Sequence, residues 1–407
     1  MNIEECRLCK SSDISLAVDL GFHPLADTFL PAEFQHGPEV SYPLELGLCG
    51  NCGHVFTLVA VSPEDRYQKT EYSYDSSNSR VSIEHFKEFC DAALAERPLA
   101  TGALISDIGS NVGTLLSHFK AAGYENVLGV EPSPNISEIA RARGIPTLTE
   151  FFDSTAARKL REAGEVELLL SSNVVNHADD LPGLLTTAKE VLSPTGRFVF
   201  EVPYLLDLVE RTAFDTIYHE HVHYYGIRPL AACLAREGFS IFKVERLEYM
   251  CGSIRVYCER GVEHGSVVPE MVAAEEARGL YTLGTYAEFM DRVRAVKRAT
   301  NEHLWKIRAE GGTIVGIGAA TKGNTFLNYC RLDADVVSFI ADASKLKVGK
   351  RTPGSHIPII ADEEIGDTGA THALILPWNI AEFLKEKLAH LDLRFYVPQV
   401  ETLQRPQ

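Results

Sequence analysis

Residues 105–114 read Ile105-Ser106-Asp107-Ile108-Gly109-Ser110-Asn111-Val112-Gly113-Thr114. This stretch is typical of a segment that closes a β-strand and opens a helix. Gly109 and Gly113 let the backbone approach a ligand closely, and the N-terminus of the following helix offers free N–H groups. The stretch therefore predicts a strand–turn–helix unit with a cofactor at the turn.

The surrounding sequence alternates between helical and strand patterns. It predicts helices over 83–94, 115–122 and 136–142, and strands over 103–105, 127–130 and 166–170. This alternation predicts an α/β fold with a parallel sheet built from βαβ units. A helix-favouring stretch over 266–310 precedes apolar runs at 313–317 and 336–340, which predict a second, C-terminal α/β unit.

Composition restricts the function classes. A chain of 407 residues, 45% hydrophobic and 23% charged, is typical of a soluble globular protein with two or three domains. The formal net charge of −17 argues against a nucleic-acid groove, which needs a basic face. The N-terminus lacks a signal-peptide pattern, and no run approaches the ~20 apolar residues of a membrane span. We therefore expect a cytoplasmic enzyme that acts on a small molecule.

Two cysteine pairs near the N-terminus indicate a metal. Cys6 and Cys9, and then Cys49 and Cys52, have C-x-x-C spacing. Four thiolates suit a tetrahedral Zn²⁺ that is structural, because no coordination position stays open for water. In a chain without a secretion signal, this spacing favours metal over disulfides. The other cysteines are expected to be ordinary buried residues: Cys90, Cys233, Cys251, Cys258 and Cys330.

Residues further along the chain bear on the cofactor. Glu131 ends the next predicted strand about twenty residues on, where a carboxylate can hold both hydroxyls of a ribose. Asn173 ends a later strand, inside the segment 171–177. These residues favour S-adenosylmethionine (SAM), although a nicotinamide cofactor would use the same glutamate. The predicted cofactor residues are Gly109, Ser110, Asn111, Gly113, Glu131, Pro132, Asn173 and His177.

Several motifs in the same order carry a resemblance to a known family. The central one is Phe214-Asp215-Thr216-Ile217-Tyr218-His219-Glu220-His221. Together with the cysteine pairs, the others cover nearly the whole chain: 72–77, 107–111, 129–133, 201–205, 316–325 and 377–379. The chain resembles the SAM-dependent sugar C-methyltransferases, whose best-known type is the C-3′-methyltransferase of tetronitrose biosynthesis, with relatives in the mycarose and noviose pathways.

The resemblance implies an organisation and a reaction. A zinc-binding module is expected over 1–75, a class I methyltransferase domain with a Rossmann-like fold over 76–265, and a C-terminal Rossmann-like domain over 266–407. The implied cofactors are SAM and structural Zn²⁺, and the implied substrate is a nucleoside-diphosphate keto-sugar. A base removes the proton next to the ketone, and the carbon of the enolate takes the methyl group of SAM.

The predicted catalytic residues lie mainly in the central motif. Imidazole suits a base that works near neutral pH, so His221 is the predicted base. Tyr218 is expected to donate to the enolate oxygen or to act as an alternative base, and Glu220 to orient the imidazole. By resemblance, Tyr72 reaches the sugar from the zinc module.

A different interpretation of the histidines is that they share one face of a strand. If the backbone were extended, His219, His221 and His223 would point the same way, as a metal site or a polar surface.

The nucleotide part of the substrate is expected at the C-terminal domain. Gly316-x-Gly318, with Asp342 at the end of the next strand, looks like a dinucleotide turn, which the resemblance assigns to the substrate rather than to NAD. Lys322 and Arg255 are predicted partners of the diphosphate. The full set of predicted substrate residues is Tyr74, Ser76, Arg255, Lys322 and Asn324.

The chain also departs from the family pattern. Val112 replaces an acidic residue of the cofactor loop, Met250 replaces a histidine, and Asn176 replaces a small residue. We interpret these departures as an altered substrate. Two other functions stay open at this point: a nicotinamide-dependent sugar-nucleotide oxidoreductase or epimerase, and a catalytically inactive zinc scaffold.

Overall fold

The structure is a computed structural model that describes residues 3–34, 37–67, 75–77, 79–261 and 263–398. Tyr72 and Tyr74 lie outside the described residues. Within them, the strands form three sheets, which follow one another along the sequence apart from one strand that returns to the first sheet. No helix in these ranges is long and apolar enough to cross a membrane.

The N-terminal sheet is antiparallel and has the order β1-β2-β3-β9. Its first three strands belong to the cysteine-rich region, whereas β9 comes from the segment just after the central motif. This pairing joins the cysteine-rich region to the segment that follows the central motif. The elements are β1 (Ile14–His23), β2 (Tyr42–Cys49), β3 (Val55–Thr57), the short helix α1 (Pro63–Tyr67) and, further on, β9 (His223–Tyr224).

The middle sheet has the order β10-β11-β8-β7-β4-β5-β6. The strands from β8 to β6 are parallel, and β11 and β10 add an antiparallel hairpin. The strands are β4 (Leu104–Ile108), β5 (Val127–Val130), β6 (Thr147–Leu148), β7 (Val166–Ser172), β8 (Leu192–Pro203), β10 (Phe239–Leu247) and β11 (Ser253–Arg260). The helices around them are α2 (Arg80–Glu96), α3 (Thr114–Ala121), α4 (Pro134–Ala142), α5 (Ser154–Ala163), α6 (Leu181–Val191), α7 (Leu205–Glu210) and α8 (Ile227–Arg236).

The C-terminal sheet is wholly parallel, with the order β14-β13-β12-β15-β16. Two helices connect it to the middle domain, as the sequence over 266–310 predicts. The elements are α9 (Val267–Ala277), α10 (Leu283–Ala309), β12 (Ile314–Ile317), α11 (Thr321–Cys330), β13 (Phe339–Asp342), β14 (Ile359–Ala361), β15 (His372–Ile375), α12 (Ala381–Lys387) and β16 (Arg394–Tyr396).

Residues 105–114 fold into the strand–turn–helix unit that the sequence predicts. β4 ends at Ile108 and α3 begins at Thr114, and the parallel strands around them have fully buried apolar runs such as Leu168-Leu169-Leu170. Gly109 has a φ of +65°, and a Cβ there would lie 2.3 Å from Cγ2 of Val174. Only glycine fits this turn, because a side chain would meet the neighbouring loop.

Two local predictions were wrong. The strand expected over 336–340 begins only at Phe339, because the N–H groups of Val336 and Val337 bond to the Asp333 carbonyl in a turn. The three histidines do not share a strand face either, since strand geometry in that segment is confined to His223–Tyr224. Burial of an apolar run does not by itself distinguish a strand from a packed turn.

Candidate active site

The four N-terminal cysteines come together as predicted. The Sγ atoms of Cys6 and Cys52 are 3.7 Å apart and those of Cys9 and Cys49 are 3.5 Å apart. All four sulfur atoms lie within 4.8 Å of one another. A tetrahedral zinc with Zn–S bonds of about 2.3 Å places its sulfurs about 3.8 Å apart, so this cluster fits Zn²⁺. Among the described residues, it is the one group of three or more such ligands close enough to hold a metal.

A cavity of about 890 Å³ lies where the three sheets approach one another. It is lined by the carboxyl ends of the middle strands, by α1 of the zinc module and by the glycine turn of the C-terminal sheet. Such a volume is in the range of a ligand pocket. The predicted residues that line it are Ser76, Gly109, Ser110, Asn111, Glu131, Pro132, Asn173, His177, Tyr218, Glu220, His221 and Lys322.

The glycine turn of β4 lines one side of the cavity, which we call the cofactor half because the sequence predicts the cofactor there. The Glu131 carboxylate accepts the Asn111 N–H at 3.1 Å and the Ser133 N–H at 2.9 Å. Burial raises the pKa of Glu131, and these two N–H donors oppose the rise. Gly113 does not line the cavity but is the N-cap residue of α3, with a φ of +82°.

The cofactor half also contains buried acceptors that no protein group satisfies. Oδ1 of Asp107 and Oδ1 of Asn173 have no hydrogen-bond partner within the described ranges. Burial, with Glu131 and Glu201 nearby, raises the pKa of Asp107 to about 8. Acceptors left open beside a glycine turn fit the amine and hydroxyl donors of SAM. Asp107 is a site residue that the sequence prediction quoted in a motif but did not assign.

Tyr218 and His221 form a hydrogen-bonded pair. Nδ1–H of His221 donates to the Thr216 carbonyl at 2.8 Å, so Nε2 keeps its lone pair and accepts the Tyr218 O–H at 2.7 Å. Burial lowers the pKa of His221 to about 4 and raises the pKa of Tyr218 well above its usual value. Near neutral pH, both groups are therefore uncharged, and the proton stays on the Tyr218 oxygen.

Glu220 does not orient His221, which corrects the predicted role. Both ring nitrogens of His221 are engaged by Thr216 and Tyr218, and Glu220 instead accepts the Asp27 N–H at 3.2 Å. Its Oε2 atom is buried without a partner in the part of the chain that the structure describes. Burial, with Asp27 nearby, raises the pKa of Glu220 to about 7.

His177, which the sequence predicts as a cofactor residue, lies beside the Tyr218–His221 pair. Its ring centre is 4.7 Å from that of His221, and its Nδ1 atom bonds to the Tyr67 hydroxyl at 2.6 Å. Burial, with His221 and Arg66 nearby, lowers the pKa of His177 well below its usual value. Tyr67 and Arg66 line the cavity, but the sequence offered no signal for them because they lie in a five-residue helix without a motif.

Several predicted substrate residues make contacts other than those expected. Ser76 lines the cavity, and its N–H donates to Oδ1 of Asn111 at 2.9 Å, so it supports the cofactor turn. Lys322 lies 3.5 Å from the Asp215 carboxylate and donates to Cys251 Sγ at 3.1 Å. The buried Asp215 therefore offsets the charge of Lys322.

Arg255 and Asn324, two of the predicted substrate residues, do not line the cavity. Arg255 is 3% exposed and pairs with Glu201 at 2.7 Å and with Glu245 at 3.2 Å. Asn324 donates to the Ala26 carbonyl at 2.7 Å and so joins the C-terminal domain to the zinc module. Both side chains are buried by tertiary contacts that sequence spacing does not reveal.

Met250 and Val112, which both depart from the family pattern, differ in whether they line the cavity. Met250 lines the cavity and, like its neighbour Cys251, has a left-handed backbone, with φ values of +52° and +71°. Val112 is 1% exposed and does not line the cavity. Strained backbone of this kind is concentrated at functional sites, so the segment around Met250 shapes the cavity wall.

Comparisons with known proteins agree with this geometry. Three family models match consecutive parts of the chain: "Putative zinc binding domain" over 6–67, "Methyltransferase domain" over 83–244 and "C-methyltransferase C-terminal domain" over 249–395. C-methyltransferase NovU of Streptomyces niveus is 32% identical over 403 residues, which cover 97% of this chain and 95% of NovU.

Solved structures match the chain only over part of its length. Magnesium protoporphyrin IX methyltransferase ChlM from Synechocystis PCC 6803, with bound SAM, is 14% identical over 44% of this chain and 79% of its own, with a TM-score of 0.34. A SAM-dependent methyltransferase from Mesorhizobium loti is 20% identical over 44% of this chain and 100% of its own, with a TM-score of 0.35. Scores this low carry no argument about function.

The fold, the cavity and the sulfur cluster define a zinc-containing, SAM-dependent methyltransferase. The chain belongs to the sugar C-methyltransferase family, since it matches NovU over nearly the full length of both proteins. The enzyme class, the fold class, and SAM and zinc as cofactors are thereby confirmed, and the oxidoreductase and inactive-scaffold alternatives are not favoured.

Proposed function

We propose that the enzyme methylates the carbon next to the ketone of a nucleoside-diphosphate keto-sugar through an enolate. The observation that carries the proposal is that the Tyr218–His221 pair and the glycine turn at Gly109 line the same cavity. A proton-accepting pair beside a methyl donor suits the formation of a carbon nucleophile at the place where it is used. The name of the relative NovU, a C-methyltransferase, supports transfer to carbon.

The proton path follows from the hydrogen bonds of the pair. The phenolic oxygen of Tyr218 takes the proton from the sugar carbon while its own proton moves to Nε2 of His221. The Thr216 carbonyl, which accepts Nδ1–H, stabilises the imidazolium that forms. His221 is then the base and Tyr218 its link to the substrate. SAM, when bound, supplies the methyl group as an electrophilic carbon.

His177 is a second candidate for the base. Its Nδ1 atom bonds to Tyr67, and its Nε2 atom has no hydrogen-bond partner among the described residues. In the tautomer whose Nδ1–H donates to the Tyr67 oxygen, Nε2 carries the lone pair, and this neutral imidazole on the cavity wall can take a proton directly. The two candidates differ in whether Tyr218 is needed.

The diphosphate fits Lys347 better than Lys322. Lys347 lines the cavity, and its ammonium group donates to the Ala319 carbonyl at 2.9 Å. Within the described residues, no carboxylate forms an ion pair with it. The Ser344 hydroxyl, 4% exposed, faces no protein partner there. A cation and an open hydroxyl beside the turn at Gly318 suit an anionic group.

The proposal retains the predicted division of the chain. Residues 1–75 form the zinc module, 76–265 the SAM-binding domain and 266–407 the domain that holds the nucleotide. In this arrangement the sugar lies at the junction of all three. Tyr72 and Tyr74 stay predictions for the sugar contact.

Two measurements test the proposal. Calorimetric titration with S-adenosylhomocysteine should give binding, whereas NAD should give none. Incubation with SAM and a nucleoside-diphosphate 4-keto-6-deoxy sugar should give a product heavier by one methylene unit in mass spectrometry, and its position is read by NMR.

The His221→Ala variant is the control that ties the product to this site. It should bind S-adenosylhomocysteine as the wild type does and lose nearly all turnover. Unchanged turnover would remove His221 from the mechanism and favour His177. Binding of NAD without methyl transfer would contradict the proposed function itself.

A further inference from the structure

Arg66 lies where the zinc module meets the two loops that carry the catalytic groups. It is in the last turn of α1, and its side chain is 0% exposed. Nη1 donates to the His177 carbonyl at 3.2 Å and approaches the Glu220 carbonyl at 3.5 Å. One guanidinium nitrogen therefore bridges the loop after β7 and the loop before β9.

The same guanidinium also pairs with an acid of the first loop. Nη2 of Arg66 contacts the Asp179 carboxylate. Arg7, between the first two cysteines, donates to the Asp179 carbonyl at 3.3 Å and to its carboxylate at 3.4 Å. Two buried arginines thus share one carboxylate, which leaves a surplus positive charge next to His177.

We propose that Arg66 is a positioning residue for methyl transfer, because its guanidinium holds the His177 and Glu220 backbones at one fixed spacing. The loop of His177 and the loop of the Tyr218–His221 pair are also joined by the bond from the Val222 N–H to the Asn176 carbonyl at 2.9 Å, and Arg66 adds a second bridge between them at His177 and Glu220. This proposal rests on the proposed function for the reaction that Arg66 serves. It assigns the zinc module a part in catalysis through α1.

The chemistry of arginine explains why this residue type is needed. Its planar fork presents several N–H donors in fixed directions, whereas lysine is a compact charge on a flexible stem. A lysine at this position can keep the ion pair with Asp179 but not both backbone contacts. The contact with Glu220 is buried and the contact with His177 is partly buried, so loss of the donor leaves both carbonyls short of a hydrogen bond and lets the two loops shift.

The test compares Arg66→Lys and Arg66→Met with Arg7→Met. Arg7→Met is the matched control, because Arg7 touches Asp179 but neither the His177 nor the Glu220 carbonyl. We expect Arg66→Lys to lower kcat by about 100-fold, which a displacement of about 1 Å at reacting groups can cause. The KM for the sugar and the Kd for S-adenosylhomocysteine should change little. Arg7→Met should keep most of kcat once its zinc content and folded fraction are accounted for.

A second readout does not depend on turnover. The groups that face His177 are Tyr67, His221 and Arg66, with Asp179 nearby. In Arg66→Met, loss of the cation should raise the pKa of His177, measured by NMR of ¹³C-labelled histidine in the full-length protein. Arg7→Met should move it less.

The outcomes separate this proposal from the proposed function. Wild-type kcat in Arg66→Lys, or an unchanged His177 titration in Arg66→Met, would overturn the positioning role. A wild-type enzyme that methylates no keto-sugar would count against the proposed function, and an unchanged His177 titration in Arg66→Met would still count against the role of Arg66. Circular dichroism melts of all variants exclude unfolding as the cause.

Discussion

At the scale of single residues, the site depends on which atom of His221 carries the proton. The bond from Nδ1–H to the Thr216 carbonyl fixes the tautomer, and this leaves Nε2 to accept from Tyr218. An imidazole in the other tautomer would offer no lone pair to the tyrosine. The carbonyl of Thr216 thus takes the orienting part that the sequence assigned to Glu220.

Tyr218→Phe tests whether His221 acts through the tyrosine. Removing the hydroxyl breaks the 2.7 Å bond, and we expect kcat to fall by about 10²- to 10⁴-fold, the usual effect of losing an acid–base group. Tyr286→Phe is the matched control, because its buried hydroxyl donates to the Leu280 carbonyl at 2.8 Å and the residue does not line the cavity. Steady-state kinetics with the keto-sugar measures both variants. Equal activity in Tyr218→Phe and the wild type would indicate that His177 is the base.

At the scale of elements, the two cysteine knuckles fix the start and the end of the β1–β2 hairpin. Cys49 is the last residue of β2, and Cys6 and Cys9 precede β1. A metal that joins them closes the module, because ligand binding and folding share their free energy.

Cys49→Ser should therefore lose zinc and stability together. We expect the metal content, measured by atomic absorption, to fall below one zinc per chain and the Tm to drop. Cys258→Ser is the control, since Cys258 is a buried cysteine in β11 that is not part of the sulfur cluster. That variant should keep its zinc whatever its Tm. A zinc-replete Cys49→Ser protein would contradict the ligand assignment.

A second prediction at this scale concerns Lys347, which contacts the turn between β12 and α11. Lys347→Met should raise the KM for the nucleotide sugar roughly 10-fold, since a hydrogen bond to a charged group is worth about 1.5–3 kcal/mol. Its kcat should change little because Lys347 is placed at the nucleotide. Lys322→Met should instead lower the Tm, because it leaves Asp215 buried without its cation. An unchanged KM in Lys347→Met would move the diphosphate away from this turn.

At the scale of the whole molecule, the three sheets meet through direct hydrogen bonds. The Thr321 hydroxyl donates to the Asp27 carboxylate at 2.9 Å, and the Leu30 and Arg351 backbones exchange hydrogen bonds. Glu220 bonds to the Asp27 backbone at this junction. Burying the Glu220 carboxyl at this junction lowers the stability of the folded protein. Such a loss of stability is common at functional sites.

Glu220→Gln should stabilise the protein in a pH-dependent way. The pKa of Glu220 in the folded protein is raised from 4.5 to about 7. Its carboxyl therefore destabilises the folded state increasingly as the pH rises from 4.5 to about 7. At about 1.4 kcal/mol per pKa unit, the variant should gain up to about 3 kcal/mol over the wild type at pH 8. The gain should vanish near pH 4, where both states are protonated. Urea unfolding at several pH values measures it.

His219→Gln is the comparison, because its gain in stability over the wild type should appear at low pH rather than at high pH. Burial lowers the pKa of His219 to about 4, so its cost to the wild type appears as the pH falls from about 6.5 towards 4. A stability difference for Glu220→Gln that is flat across pH would show that Glu220 stays ionised in the folded protein.

The sequence by itself determined the α/β alternation, the glycine turn at Gly109, the cysteine knuckles and the central motif. These features depend on local periodicity and on spacings of a few residues, which the backbone translates directly into strands, turns and ligand pairs. Only the tertiary structure decided which side chains meet. Arg66 is 111 positions from His177, and Lys347 is 28 positions from the Ala319 carbonyl it contacts. Contacts over such separations depend on how sheets and loops pack. No local pattern could therefore place Arg66 beside His177 or indicate that Lys347, rather than Lys322, lacks a carboxylate partner in the described part of the chain. Nor could it show that the Thr216 carbonyl, rather than Glu220, orients His221.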